Sequence, residues 1–379
     1  MTAGDMTGDS LDPTTRALRV RATVDGSRAT VTPLFQSAAF QSGSPYFYHR
    51  KDNPNVAELE AALAALEQSR YALAVTTGMA ALSMVMGLLR AGDTLVCHHL
   101  MYGCSLKLFQ QQVAERGVSL VVTDLADPHC LTALPESTRV VVFETPTNPF
   151  LRTVGIAAVA TATKRANPNA VVVVDGTWAT PLFQQPLRQG ADVVVHSATK
   201  FMSGHSDVMG GVICTERDDL AAFFRERRFY HGANLDAHSA WLLCRSLKTF
   251  ALRMGAHQAT TTRLAALVQS FAVVERVDLP EIDGIQLRGY GGIIFVQLRS
   301  AWCDRYPDLV AALRLFDTGT GMAAVTSMIA QPYSGSHASL DDAEKEAIGL
   351  NRGLVRLCFG LEAEADLAAD LTQAFAAIV

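Results

Sequence analysis

The chain is expected to form an α/β protein, with a mostly parallel central sheet covered by helices on both faces and a smaller C-terminal α+β domain. Three features predict this. Valine-rich apolar runs recur without the in–out alternation of a half-exposed strand, as expected for strands buried on both faces. Stretches of helical periodicity separate these runs, which is the pattern of a parallel sheet with helical crossovers. After about Arg225 the chain becomes long and helical through Leu267, then returns to strands mixed with helices.

Residues 1 to about 43 are polar and poorly periodic apart from the run Thr30 to Phe40, and read as an extended arm that must pack on something to be ordered. Asn53 and Pro54 open a helix as N-cap and first helical residue, with Leu59, Leu63 and Leu66 on one stripe. The run Tyr71–Val75 precedes a helix from Gly78 to Leu89, and Asp93–Cys97 precedes a loop at Tyr102 and a further helix. Strands follow at Val118–Thr123, Val140–Phe143, Val171–Val174 and Val193–Val195, with later ones at Gly291–Leu298 and Leu354–Phe359. The expected division is an arm over 1–52, an α/β domain over 53–247 and an α+β domain over 248–379.

Composition narrows the function. Of 379 residues, 49% are hydrophobic and 18% charged, enough for a large core, and the net charge of -5 argues against nucleic acid or an acidic membrane as partner. Seven cysteines are scattered singly, without a CxxC pair, so neither a disulfide framework nor a metal site is expected. The start lacks the apolar core of a signal peptide, and no apolar run is long enough to span a bilayer. A cytoplasmic protein is therefore the expectation.

The most informative stretch is Val171 to Ile213. One buried strand ends in Asp175, and the next runs into Ser197-Ala198-Thr199-Lys200. Both termini reach the carboxyl edge of a parallel sheet, where α/β proteins bind ligands. A lysine able to form a Schiff base and an acid able to face a pyridinium nitrogen are what pyridoxal 5'-phosphate (PLP) requires. Further segments supply the remaining parts. Gly78 and Met79 sit where a strand turns into a helix, which suits an anion, and Ser197 and Thr199 add hydroxyls. Tyr48 and Arg50 come from the arm, where an arginine can clamp phosphate. Tyr102 follows a strand and can stack on a flat cofactor, while Asn148, in the turn Glu144–Pro149, can bond a cofactor oxygen. Arg356 is a charge inside an apolar strand, and a substrate carboxylate is its best anionic partner.

From about Thr32 to the C-terminus these segments resemble, in order, the cysteine/methionine-metabolism family of PLP-dependent enzymes. The block Asp175-Gly176-Thr177, Ser197–Lys200, Gly204–Asp207, Gly210-Gly211 is the most specific part. The resemblance implies the type I fold of PLP-dependent transferases. It implies Lys200 as the Schiff-base lysine, Asp175 as partner of the ring nitrogen and Tyr102 as a stacked tyrosine with a catalytic hydroxyl. Gly78, Met79, Asn148, Thr177, Ser197 and Thr199 would bind cofactor. Tyr48 and Arg50 would reach into a neighbouring subunit, so a homodimer with shared sites, paired into a tetramer, is expected. On the substrate side it implies Arg356, Asn148, Ser327 and Thr326. Several positions depart from the family pattern. Gly176 replaces asparagine, Trp178 stands where phenylalanine is common, and Thr326 replaces a glutamate. The connection from Phe40 to Tyr46 is short, and Cys104 matches methionine γ-lyases. These changes fall on the substrate side. They point to γ-elimination of a small γ-substituent from an L-amino acid, with γ-replacement or cystathionine β-elimination as alternatives.

Overall fold

A computed structural model describes residues 11–20 and 29–379. The parts of the expected arm at 1–10 and 21–28 lie outside the described residues.

The seven-stranded sheet comprises β1 (Tyr71–Val75), β2 (Thr94–His98), β3 (Ser119–Thr123), β4 (Thr138–Glu144), β5 (Val171–Asp175), β6 (Val193–Ser197) and β7 (Gly211–Thr215). Its order is β1-β7-β6-β5-β4-β2-β3. From β6 to β3 all neighbours are parallel, whereas β7 is antiparallel to both β6 and β1. The valine runs of β4 and β5 are buried on both faces. Val140, Val142, Val171 and Val173 join one apolar cluster, while Val141, Phe143, Val172 and Val174 join another. A second sheet has the order β10-β11-β12-β9-β8. Its strands are β8 (Val274–Asp278), β9 (Ile293–Leu298), β10 (Asp317–Thr318), β11 (Met328–Ala330) and β12 (Leu354–Cys358).

The expected strands are present, most with small shifts of boundary. The single long helical stretch after Arg225 is instead three helices, Asp218–His231, Ala237–Leu247 and Phe250–Gln269. The first stops at Gly232, whose φ of +70° is the left-handed C-terminal cap that glycine accepts. The arm is not wholly extended. Helix α1 (Pro13–Arg19) is capped by Asp12 and packs on α2 (Pro54–Glu67), with Ala17 in the core. The side chain of Asn53 caps α2 as expected. Asn53 and Asn55 also hold the arm backbone at Phe35 and Pro33. Among the described residues no helix is long and apolar enough to cross a membrane.

Candidate active site

The parallel strands end on a common edge, and the chain places most of its predicted site residues there. Lys200 follows β6 and lines a cavity of about 570 Å³ together with Thr76, Thr77, Thr199, Gly321 and Met322. Burial lowers the pKa of its amine, and the positive charge of Arg356 lowers it further. A neutral amine is the nucleophilic form.

Beside it, helix α3 (Gly78–Met86) begins under the Thr77 hydroxyl, which accepts from the Ala80 amide at 3.0 Å. Its approach to β6 is possible only because residue 78 lacks a side chain, since a Cβ there would lie 2.8 Å from the Ser197 Cβ. On the neighbouring strand, a Cβ at Gly211 would lie 2.0 Å from the Thr77 carbonyl oxygen. Met79 turns its side chain onto the core, which leaves its backbone N–H at the helix start. Of the two hydroxyls expected to meet a phosphate, Thr199 already bonds Gly210, accepting from its amide at 3.0 Å and donating to its carbonyl at 3.2 Å. Ser197 is uncommitted among the described residues; its own amide donates to the Thr177 hydroxyl at 2.9 Å.

Asp175 ends β5, and its Oδ1 accepts from the Thr177 amide at 3.0 Å. Burial raises its pKa, while the hydrogen bonds from Thr177 and the charge of His196 oppose the rise. In register with it on β4 stands Glu144, a buried acid not singled out from the sequence. Its Oε1 accepts from the Tyr102 amide at 2.7 Å and its Oε2 from the Asn148 amide at 3.1 Å. Burial, then the neighbouring Asp175, pushes Glu144 well above the usual carboxylate range. Tyr102 stands at the start of α4 (Gly103–Arg116). Its phenol is pushed up to about 12 by burial and by its contact with the exposed Cys104, so it suits a proton donor rather than a base. Asn148 gives its carbonyl to His337 Nε2 at 3.3 Å, while its Oδ1 is buried without a partner.

Arg356 enters from β12 of the second sheet and is 2% exposed. Its Nη2 donates to the Thr320 and Gly321 carbonyls at 3.2 and 3.0 Å, and Nη1 lies 3.4 Å from Met322 Sδ. Nε is buried without a partner. No carboxylate pairs with this guanidinium among the described residues, so an anion from outside is the missing counterpart.

Two residues expected on the substrate side are engaged or placed differently. The Ser327 hydroxyl is closed off, donating to Glu362 at 2.8 Å and accepting from the Gly360 amide at 2.9 Å, so it braces a strand end. Thr326 is exposed and not part of the wall around Lys200. Gly321 and Met322 from the same stretch occupy that wall instead. Tyr48 and Arg50 also lie outside this wall, on the exposed arm, where the Arg50 guanidinium stacks 4.7 Å from the Phe229 ring centroid. A His98, His99 and Asp124 group of metal-ligand type stands at the ends of β2 and β3. Burial, then His99, lowers His98 to about 4, and its Nδ1 accepts from the Leu125 amide at 3.0 Å, so loop fixing accounts for it.

The residues at this sheet edge fit PLP. The open helix start at Gly78 suits a phosphate, the buried Asp175 a ring nitrogen, and the unpartnered Asn148 Oδ1 a polar ring substituent.

Comparison with known proteins agrees with this geometry. Residues 14–376 match the family described as Cys/Met metabolism PLP-dependent enzyme. An L-methionine gamma-lyase of Pseudomonas deceptionensis is 38% identical over 349 residues, covering 88% of this chain and 86% of its own. A cystathionine beta-lyase of Lactococcus lactis subsp. cremoris is 33% identical over 381 residues, with 97% and 96% covered. The crystal structure of cystathionine gamma-lyase from Lactobacillus plantarum, complexed with L-serine, superposes with a TM-score of 0.92 at 29% identity, covering 97% of this chain and 99% of that one.

Proposed function

Because this chain belongs to the Cys/Met metabolism family of PLP-dependent enzymes and has their type I fold, we propose that it eliminates a small, uncharged γ-substituent from an L-amino acid. The observation that carries this is the wall beside Lys200 and Arg356. Gly321 and the thioether of Met322 line it. Such a wall suits thiomethyl, thiol or halide, including a γ-halogenated unsaturated amino acid that would yield an alkynyl side chain.

In this reading Lys200 holds the cofactor, Asp175 faces its ring nitrogen, and Gly78, Met79, Ser197, Thr177 and Thr199 surround its phosphate end. Bound there, PLP supplies an electron sink for C–H bond breaking beside the amino-bearing carbon. Arg356 pairs with the α-carboxylate and fixes which bond at Cα is presented to Lys200. The Lys200 amine, whose pKa is lowered by burial, takes the proton from Cα, passes it on, and only then, neutral again, takes one from Cβ. The Tyr102 hydroxyl, with its high pKa, donates a proton to the departing γ-group. Tyr48 and Arg50 complete the site of a partner subunit in a dimer or tetramer, and the seven free cysteines suit a reducing cytoplasm.

A second reading is supported by Asp207 and Asp236, which also line the cavity and could meet the distal ammonium of cystathionine. Both are engaged already, Asp207 with the Ser203 hydroxyl and Asp236 with the Ser239 amide. A substrate panel scored by ammonia release, with products identified by mass, separates the readings. L-Methionine or a γ-halogenated analogue should turn over faster than cystathionine and O-acylhomoserine. Cystathionine far ahead of every small-substituent substrate would refute the proposal.

A further inference from the structure

Glu144 has an unusual position for an acid. It is 2% exposed, forms no ion pair among the described residues, and stands in register with a second buried carboxylate, Asp175. A buried anion without a cation is costly, and a like charge one strand away adds to the cost. What it gains is hydrogen bonds. One oxygen takes the Tyr102 amide from the loop after β2, and the other takes the Asn148 amide from the loop after β4. The Trp178 indole, from the loop after β5, adds a looser contact to the same group.

We propose that Glu144 is the positioning residue of the site, one carboxylate fixing the Tyr102 and Asn148 loops relative to each other. The chemistry explains why glutamate stands there. Two amide N–H groups from different loops converge, and only a carboxylate offers them two acceptor oxygens. Glutamine would satisfy one amide and turn its own N–H toward the other, leaving a buried donor opposed. The effect reaches the chemistry through Tyr102 and Asn148, because Glu144 itself is covered by the loops it holds. The inference rests on the assignment of the Lys200 cavity as the cofactor site.

Glu144→Gln tests it. Opposing one buried amide is expected to weaken PLP affinity roughly 10- to 100-fold, read by titrating the visible band of the purified protein. The visible circular dichroism of bound PLP should weaken, and kcat of the PLP-saturated enzyme should fall. Trp178→Phe keeps both amide contacts and should bind PLP within about twofold of wild type. Hydrogen exchange at the Tyr102 and Asn148 amides of the wild-type protein gives a check that needs no variant, and slow exchange at both is expected.

Glu144→Gln with wild-type PLP affinity and circular dichroism overturns the proposal. So does fast exchange at either amide, or a Trp178→Phe loss as large as that of Glu144→Gln. Lys200→Ala distinguishes the two levels. A visible band that survives in Lys200→Ala defeats the site assignment, whereas its loss there beside a normal Glu144→Gln defeats only the positioning role.

Discussion

Arg356 is the residue whose surroundings say most about the substrate. It is a buried guanidinium held by two carbonyls and a thioether, with one N–H unpartnered and no paired carboxylate among the described residues. Such a group weakens the fold unless something else uses it. Arg356→Met is therefore expected to leave thermal stability equal or higher while lowering kcat/KM by about 100-fold or more, mainly through KM. Equal losses of stability and activity would mark it as structural. Lys200 makes a pH prediction of known sign. Its charged form is disfavoured by burial and by Arg356, so the neutral amine is reached at lower pH than in free lysine. The rate at which apo protein takes up PLP should rise with pH around a midpoint below the ordinary value of about 10.4, and Arg356→Met should move that midpoint upward. A midpoint at or above the ordinary value would contradict this. Lys200, Asp175 and Tyr102 stand out in the sequence because each lies at or just beyond a strand end within a distinctive motif. Glu144 was not, because a carboxylate in a polar turn reads as solvated until the loops that bury it are in place. Ser327 shows the opposite case: its hydroxyl reads as free in the sequence, but it is committed to Glu362, 35 residues away.

At the scale of elements, the site depends on how closely α3, β6 and β7 approach one another. Gly211 starts β7 and meets the Thr77 carbonyl directly, so Gly211→Ala must push α3 away from β7. Overpacking of this kind costs about 1–3 kcal/mol. The variant should show a lower denaturation midpoint together with weaker PLP binding, because the moved element carries the helix start at Gly78. Normal binding with reduced stability would show that the α3 start is not part of the cofactor site. The parallel strands were readable from their valine runs. β7 was not: its GlyValIleCysThr begins at the second glycine of Gly210-Gly211, inside the motif stretch, and nothing local announces an antiparallel partner for β1 and β6. The break at Gly232 was missed because helical periodicity continues on both sides of a single left-handed residue.

At the scale of the whole molecule, the proposed site draws on both sheets, with Lys200, Asp175, Tyr102 and Asn148 at the edge of the first and Arg356 on β12 of the second. The two-sheet plan was visible in the change of pattern along the chain, but not the short helix α1, whose seven residues are stabilised mainly by docking on α2. Tyr48 and Arg50 remain on the exposed arm of their own chain, consistent with a site shared between subunits. Mixing inactive Arg50→Ala and Lys200→Ala proteins at equal ratio should then restore about a quarter of native sites, since half the dimers are mixed and each has one intact site. No recovery after proven subunit exchange would place each site within one chain. The reaction belongs to the assembled site, and hydrogen exchange in deuterated water tests it most directly. Holoenzyme with L-methionine should place deuterium at both Cα and Cβ of recovered substrate while releasing methanethiol, ammonia and a four-carbon 2-oxo acid. Exchange confined to Cα, with pyruvate formed from cystathionine, would contradict γ-elimination.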